Sequence, residues 1–116
     1  MKEEKFKILQ FTREFILRVE KELDNFPKKD IEIKTKIRNN SYDLLEIMYA
    51  ANVTSLDSKK IDLLEQAIAK IKLIDFLINL SYDRGLITQK KYIKLSEKLD
   101  DIVKYISGLL KKTGKQ

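Results

Sequence analysis

Apolar residues recur at spacings of three and four along most of this chain, and four stretches of that pattern are separated by short polar breaks. In the first, Ile8, Leu9, Phe15, Ile16, Val19 and Leu23 share one side of a helix predicted over about residues 5–25. Phe26-Pro27 ends it, because a residue followed by proline is pushed out of the helical region. The second stretch, Ile33, Ile37, Leu44, Leu45, Met48 and Ala51, predicts a helix over about 30–52. Its line is interrupted at Arg38-Asn39-Asn40-Ser41. A polar connector, residues 53–58, precedes a third helix over about 59–83, for which Asp57 or Ser58 is the expected cap. Gly85 is placed to terminate it in a left-handed conformation. Thr88 is placed to cap a fourth helix over about 88–112, whose stripe is Tyr92, Leu95, Leu99, Ile102, Ile106 and Leu109.

The third stretch is too apolar for one stripe. Ile68, Ile71, Ile74 and Ile78 form a line, and Leu73, Phe76, Leu77 and Leu80 widen it well past a third of the circumference. A helix apolar over that much of its surface is usually covered on more than one side. Four helices of 20 to 26 residues with short connectors pack most simply as an up-down-up-down antiparallel bundle, a single all-α domain over residues 1–116. If each helix fills one axial core with one stripe, the surplus needs a second copy of the chain. Ile71, Ile74, Leu77 and Ile78 are the residues expected at that contact.

Composition narrows the chemistry. The 116 residues include one Pro, three Gly, no Cys and no His. Few breakers agree with long helices. The missing cysteines exclude disulfides, thiol catalysis and cysteine metal sites. The missing histidines remove the commonest general base and metal ligand, the Glu-x-x-His di-iron site and any ribonuclease mechanism that needs an imidazole. Asp43, Glu46, Asp75 and Asp83 could pair as carboxylates. No nucleophile elbow, phosphate loop or metal spacing accompanies them, and surface ion pairing is the simpler reading. The expectation is therefore no enzyme, no catalytic residues, no metal and no cofactor. No apolar run of about 18 residues occurs, and the start, MKEEKFK, lacks an apolar core, so the chain reads as cytoplasmic and not membrane-bound.

The net charge of +6 is uneven. Residues 86–116 hold eight Lys against three acids, and residues 28–40 hold four Lys and one Arg against two acids. A segregated basic excess points to an anionic partner such as nucleic acid, or simply to solubility. Lys34 and Arg38 share a helix face, with Lys36 turned elsewhere. Arg38 either contacts phosphate or pairs with Asp43, Asp75 or another acid, inside the bundle or across a subunit boundary. Lys90, Lys91, Lys94 and Lys98 form either a phosphate-tracking stripe or a solvated face. Tyr42, Tyr49, Tyr82, Tyr92 and Tyr105 either stack on bases or pack half-buried.

Several segments in fixed order carry a resemblance: FPKKD opening the second helix, KTKIRNN, AKIKLIDFL, and the turn YDRGLIT into KKY. Together they make residues 26–110 resemble the Avd-type accessory variability determinants of diversity-generating retroelements. That superfamily of four-helix bundles also includes proteins encoded by intervening sequences of bacterial 23S ribosomal RNA genes. The resemblance implies a homopentameric ring that binds the retroelement's reverse transcriptase and, through positive charge, the RNA/DNA backbone, in support of mutagenic retrohoming from the template-repeat RNA. By position it implies Lys34, Lys36, Arg38, Lys70, Lys72 and Arg84 as the nucleic-acid contacts. Two features depart from the family pattern, a net charge of only +6 and a lysine, Lys36, where an arginine is expected. The alternative is a stand-alone oligomeric scaffold of the intervening-sequence type.

Overall fold

A computed structural model describes the backbone of residues 2–114 and the side chains of residues 7–114. The described residues form four helices: α1 (Lys2–Leu23), α2 (Ile31–Val53), α3 (Asp57–Asp83) and α4 (Gln89–Lys112), with one 3-10 turn, Lys28–Asp30, leading into α2. Each helix packs against its neighbours in sequence, α1 also packs against α4, and among the described residues the backbones of the diagonal pairs stay more than 8 Å apart, Cα to Cα. The helices thus stand at the corners of a square, alternating in direction, in a rod 44 Å long and 21–23 Å across.

The breaks fall where local chemistry places them. Pro27 adopts an extended conformation ahead of the 3-10 turn. Thr88 Oγ1 accepts a hydrogen bond from the Lys91 N–H, which caps α4. Gly85 has a φ of +77°, and its N–H and that of Leu86 donate to carbonyls of the last turn of α3. This left-handed position carries no steric cost for glycine. The start of α3 differs from expectation. Asp57 and Ser58 lie at or inside its first turn, Leu56 occupies the cap position without a side-chain bond, and Thr54 Oγ1 accepts from the Leu56 N–H instead. The polar run Arg38–Ser41 does not interrupt α2. Asn40 donates to the Lys36 carbonyl, and Ser41 turns into the core.

The core runs the length of the rod, with Phe15, Leu44, Ile74 and Ile102 fully buried, one from each helix. Small residues face inward where helices meet: Thr12, Ser41, Ala67 and Ser81. The Thr12 and Ser81 hydroxyls donate to carbonyls four residues back, at 2.8 and 2.9 Å. Such back-bonding keeps a buried hydroxyl satisfied.

The expectation for α3 needs correction. Ile71, Ile74, Leu77 and Ile78 are all buried inside the chain's own bundle, none more than 6% exposed, so they are core and not a subunit contact. In a square bundle each helix touches two neighbours, and α3 must present apolar surface to α2 and α4 at once. One stripe per helix underestimates that arc. What remains uncovered on α3 is Leu73, 43% exposed, and Phe76, 60% exposed.

Candidate nucleic-acid interface

Three of the six basic residues implied as nucleic-acid contacts are already engaged within the chain. Arg38, on the α1-facing side of α2, grips the Glu20 carboxylate with Nε and Nη2, the shortest bond being 2.8 Å. Tyr42, one turn along, donates to the same carboxylate at 2.8 Å. The Arg38 guanidinium is the main reason the Glu20 pKa lies below the usual carboxylate range, with the Tyr42 bond and the nearby positive charge of Lys34 assisting against partial burial. The same bond pushes the Tyr42 hydroxyl above its ordinary value. Arg38 therefore pairs with an acid of the bundle, though neither Asp43 nor Asp75. Glu20 lies 18 residues away on another helix.

Lys70 donates to the Asn40 side chain at 3.0 Å and lies 3.5 Å from Asp43. Arg84 reaches Asp30, a nearly buried carboxylate, at 3.4 Å. The other three, Lys34, Lys36 and Lys72, lie on three different sides of the bundle: the α1 side of α2, the α3 side of α2 and the outer side of α3. The structure does not bring the six together.

It does gather charge elsewhere. Arg84–Asp30 ties the α1–α2 connector to the α3–α4 turn, and Lys91–Glu22 (3.2 Å) ties the start of α4 to the end of α1, at one end of the rod. Residues 21–34 and 83–94 therefore share that end, with eight bases against five acids, half of the chain's net charge on less than a quarter of its length. Within this end Lys28, Lys29, Lys90 and Lys94 are exposed, and none is held in an ion pair among the described residues. Two helices begin and two end here, so their dipoles largely cancel and the field comes from the side chains. Lys90 and Lys94 belong to the helical lysine run noted in the sequence, whereas the adjacent Lys91 is consumed by Glu22. Lys28 and Lys29 belong to the FPKKD segment and to the basic excess of residues 28–40. Nothing local to either segment says that they meet.

Among the tyrosines, Tyr82 and Tyr92 stack on each other at 5.3 Å, and Asn79 donates to the Tyr92 hydroxyl. Tyr105 meets Phe11 edge-on at 5.2 Å. These three are packing residues, and only Tyr42 and Tyr49 remain exposed. Asp43 is held by Lys70, and Asp75 accepts from Ser96. Among the described residues no three acidic side chains converge as a metal site would require, and no helix is long and apolar enough to cross a membrane. No family model matches the sequence, and neither the curated proteins nor the solved structures include a match.

Proposed function

We propose that this protein is a non-enzymatic accessory factor of a diversity-generating retroelement. It assembles as a homopentameric ring in the cytoplasm, docks the reverse transcriptase and holds template RNA or cDNA by its phosphate backbone. The observation that carries the nucleic-acid part is the basic end of the bundle, where Lys28, Lys29, Lys90 and Lys94 stand exposed and outside any ion pair among the described residues. The ordered segments from FPKKD to YDRGLITQKKY support the retroelement assignment. Lysine meets phosphate as a point charge, so binding is insensitive to base sequence. One subunit offers few contacts, and a ring repeats them so that linked weak contacts add. Lys34, Lys36 and Lys72 are auxiliary contacts on the sides of the rod.

The engagement of Arg38, Lys70 and Arg84 inside the bundle favours the second reading, a stand-alone scaffold of the ribosomal intervening-sequence type. One experiment separates the two. Fluorescence anisotropy with labelled single-stranded RNA, across a series of rising salt concentrations, is expected to show affinity that falls steeply with salt. The protein is also expected to co-purify with the retroelement's reverse transcriptase. Absence of both RNA binding and polymerase capture would leave the scaffold.

A further inference from the structure

Two lateral surfaces of the rod are opposite in shape and charge. On the outer side of α1, Arg13, Leu17 and Lys21 stand four residues apart, in one row, all exposed. Leu17 is 68% exposed, an apolar knob between two cations, with Arg18 beside it. None of these three bases is held in an ion pair among the described residues. Between α2 and α3 lies an open groove of about 550 Å³ whose apolar lining is Ile47, Ala69 and Leu73. Asp43 and Glu46 border it, and Lys70 answers Asp43 only, so Glu46 is left over and the groove is net negative. Phe76, one turn on from Leu73, extends the apolar strip along the outer face of α3.

We infer that the Arg13–Leu17–Lys21 ridge of one copy seats in the α2–α3 groove of the next, with Leu17 against Ile47 and Leu73 and a ridge cation against Glu46. This rests on the ring assembly proposed above and names the surfaces that build it. The ridge carries the charge that the groove lacks, and each surface leaves an apolar group in water that the other covers. A flank of a rod 44 Å by 21–23 Å is large enough to supply the roughly 800 Å² that a standard interface takes from each partner. The two surfaces are different patches of one chain, so the contact is head-to-tail. Such a contact repeats from copy to copy and closes into a ring when its rotation divides a full turn. Opposite charges at its border set orientation more than strength. Lys28, Lys29, Lys90 and Lys94 lie outside both named surfaces and are repeated around one rim.

A head-to-tail contact has a signature that a symmetric one lacks. Leu17→Asp spoils the ridge and spares the groove, and Leu73→Asp does the reverse. Both residues lie at the surface, so circular dichroism and thermal melting should match the parent protein. Sedimentation velocity at tens of micromolar should give a mass several times 13.7 kDa for the parent. Each variant alone should run as a monomer, and an equimolar mixture should form a one-to-one dimer and nothing larger. Glu46→Lys should reduce assembly, and Lys21→Glu in the same chain should restore it. If the parent assembles but Leu17→Asp keeps its full mass, or the mixture stays monomeric, the surfaces named here are wrong while the ring stands. A monomeric parent overturns both.

Discussion

Arg38 and the lysines at the basic end are equally cationic, and the bundle uses them in opposite ways. Arg38 lies on a seam, its guanidinium one third exposed and forked onto a Glu20 carboxylate that is one quarter exposed. Lys28 and Lys29 lie in the 3-10 turn before α2, and Lys90 and Lys94 in the first two turns of α4, all exposed near one end of the rod. A planar fork with five donors suits a fixed carboxylate across a helix seam, whereas the four exposed ammonium groups meet no acid among the described residues. A cation is thus available for a partner only if the helix across from it carries no acid at its height. Sequence proximity does not report that, because Glu20 and Arg38 are 18 residues apart.

The largest way to test the contrast is to empty the basic end. Replacing Lys28, Lys29, Lys90 and Lys94 together by Ala should remove most single-stranded RNA binding. It should also flatten the slope of log affinity against log salt, by about 0.7 for each phosphate of a single strand that is no longer neutralised. Anisotropy titrations read both quantities. Each replacement should change folding stability by less than about 0.5 kcal/mol, since the side chains touch nothing the fold needs. A fourfold variant with an unchanged slope would move phosphate binding to another surface.

The converse substitution is Arg38→Ala. It should leave the salt slope where it was and cost stability, because Glu20 is deprived of three charge-assisted hydrogen bonds. Exposure of both partners screens the pair, so the cost should be about 1–1.5 kcal/mol, read from the midpoint of urea unfolding. If Arg38→Ala weakens RNA binding as strongly as the fourfold change, the seam assignment fails.

The pH dependence of that cost sharpens it. The Glu20 pKa is lowered from 4.5 in the folded chain, chiefly by Arg38. A lowered carboxylate contributes stability that is complete above its unfolded value and fades as pH falls through its folded one. The stability gap between the parent and Arg38→Ala should therefore be constant around neutral pH and shrink below about 4.5. A gap that persists unchanged into that acid range would mean that Arg38 acts through packing instead.

Tyr42→Phe should show the smallest effect. It removes one bond to Glu20 from an exposed hydroxyl, worth about 0.5 kcal/mol. The Tyr42 pKa is raised, so its contribution is present below about 10 and disappears above that, on the alkaline side. An effect as large as that of Arg38→Ala would make the tyrosine, and not the arginine, the main partner of Glu20.

The sequence by itself determined that this chain is four helices, the approximate position of each break, and the inward stripes of α1, α2 and α4. Periodicity of three and four marks a buried face, Pro27 and Gly85 impose backbone angles that end a helix, and Thr88 supplies a cap. All of these act within a few residues of chain. It also determined that charge is in excess and that neither cysteine nor histidine chemistry is available. Only the tertiary structure decided what each cation and each surplus apolar residue is for. Ile71, Ile74, Leu77 and Ile78 became core because two neighbouring helices, and not one, press on α3. Leu73, Phe76 and Leu17 stayed outside. Arg38, Lys70 and Arg84 met acids on other elements, while Lys28 and Lys29 came to share one end with Lys90 and Lys94. Helix formation depends on neighbours a turn away, whereas the availability of a charge or an apolar side chain depends on what stands opposite it across a seam. The register of packed helices sets that, and it is not written into any one stretch of the chain.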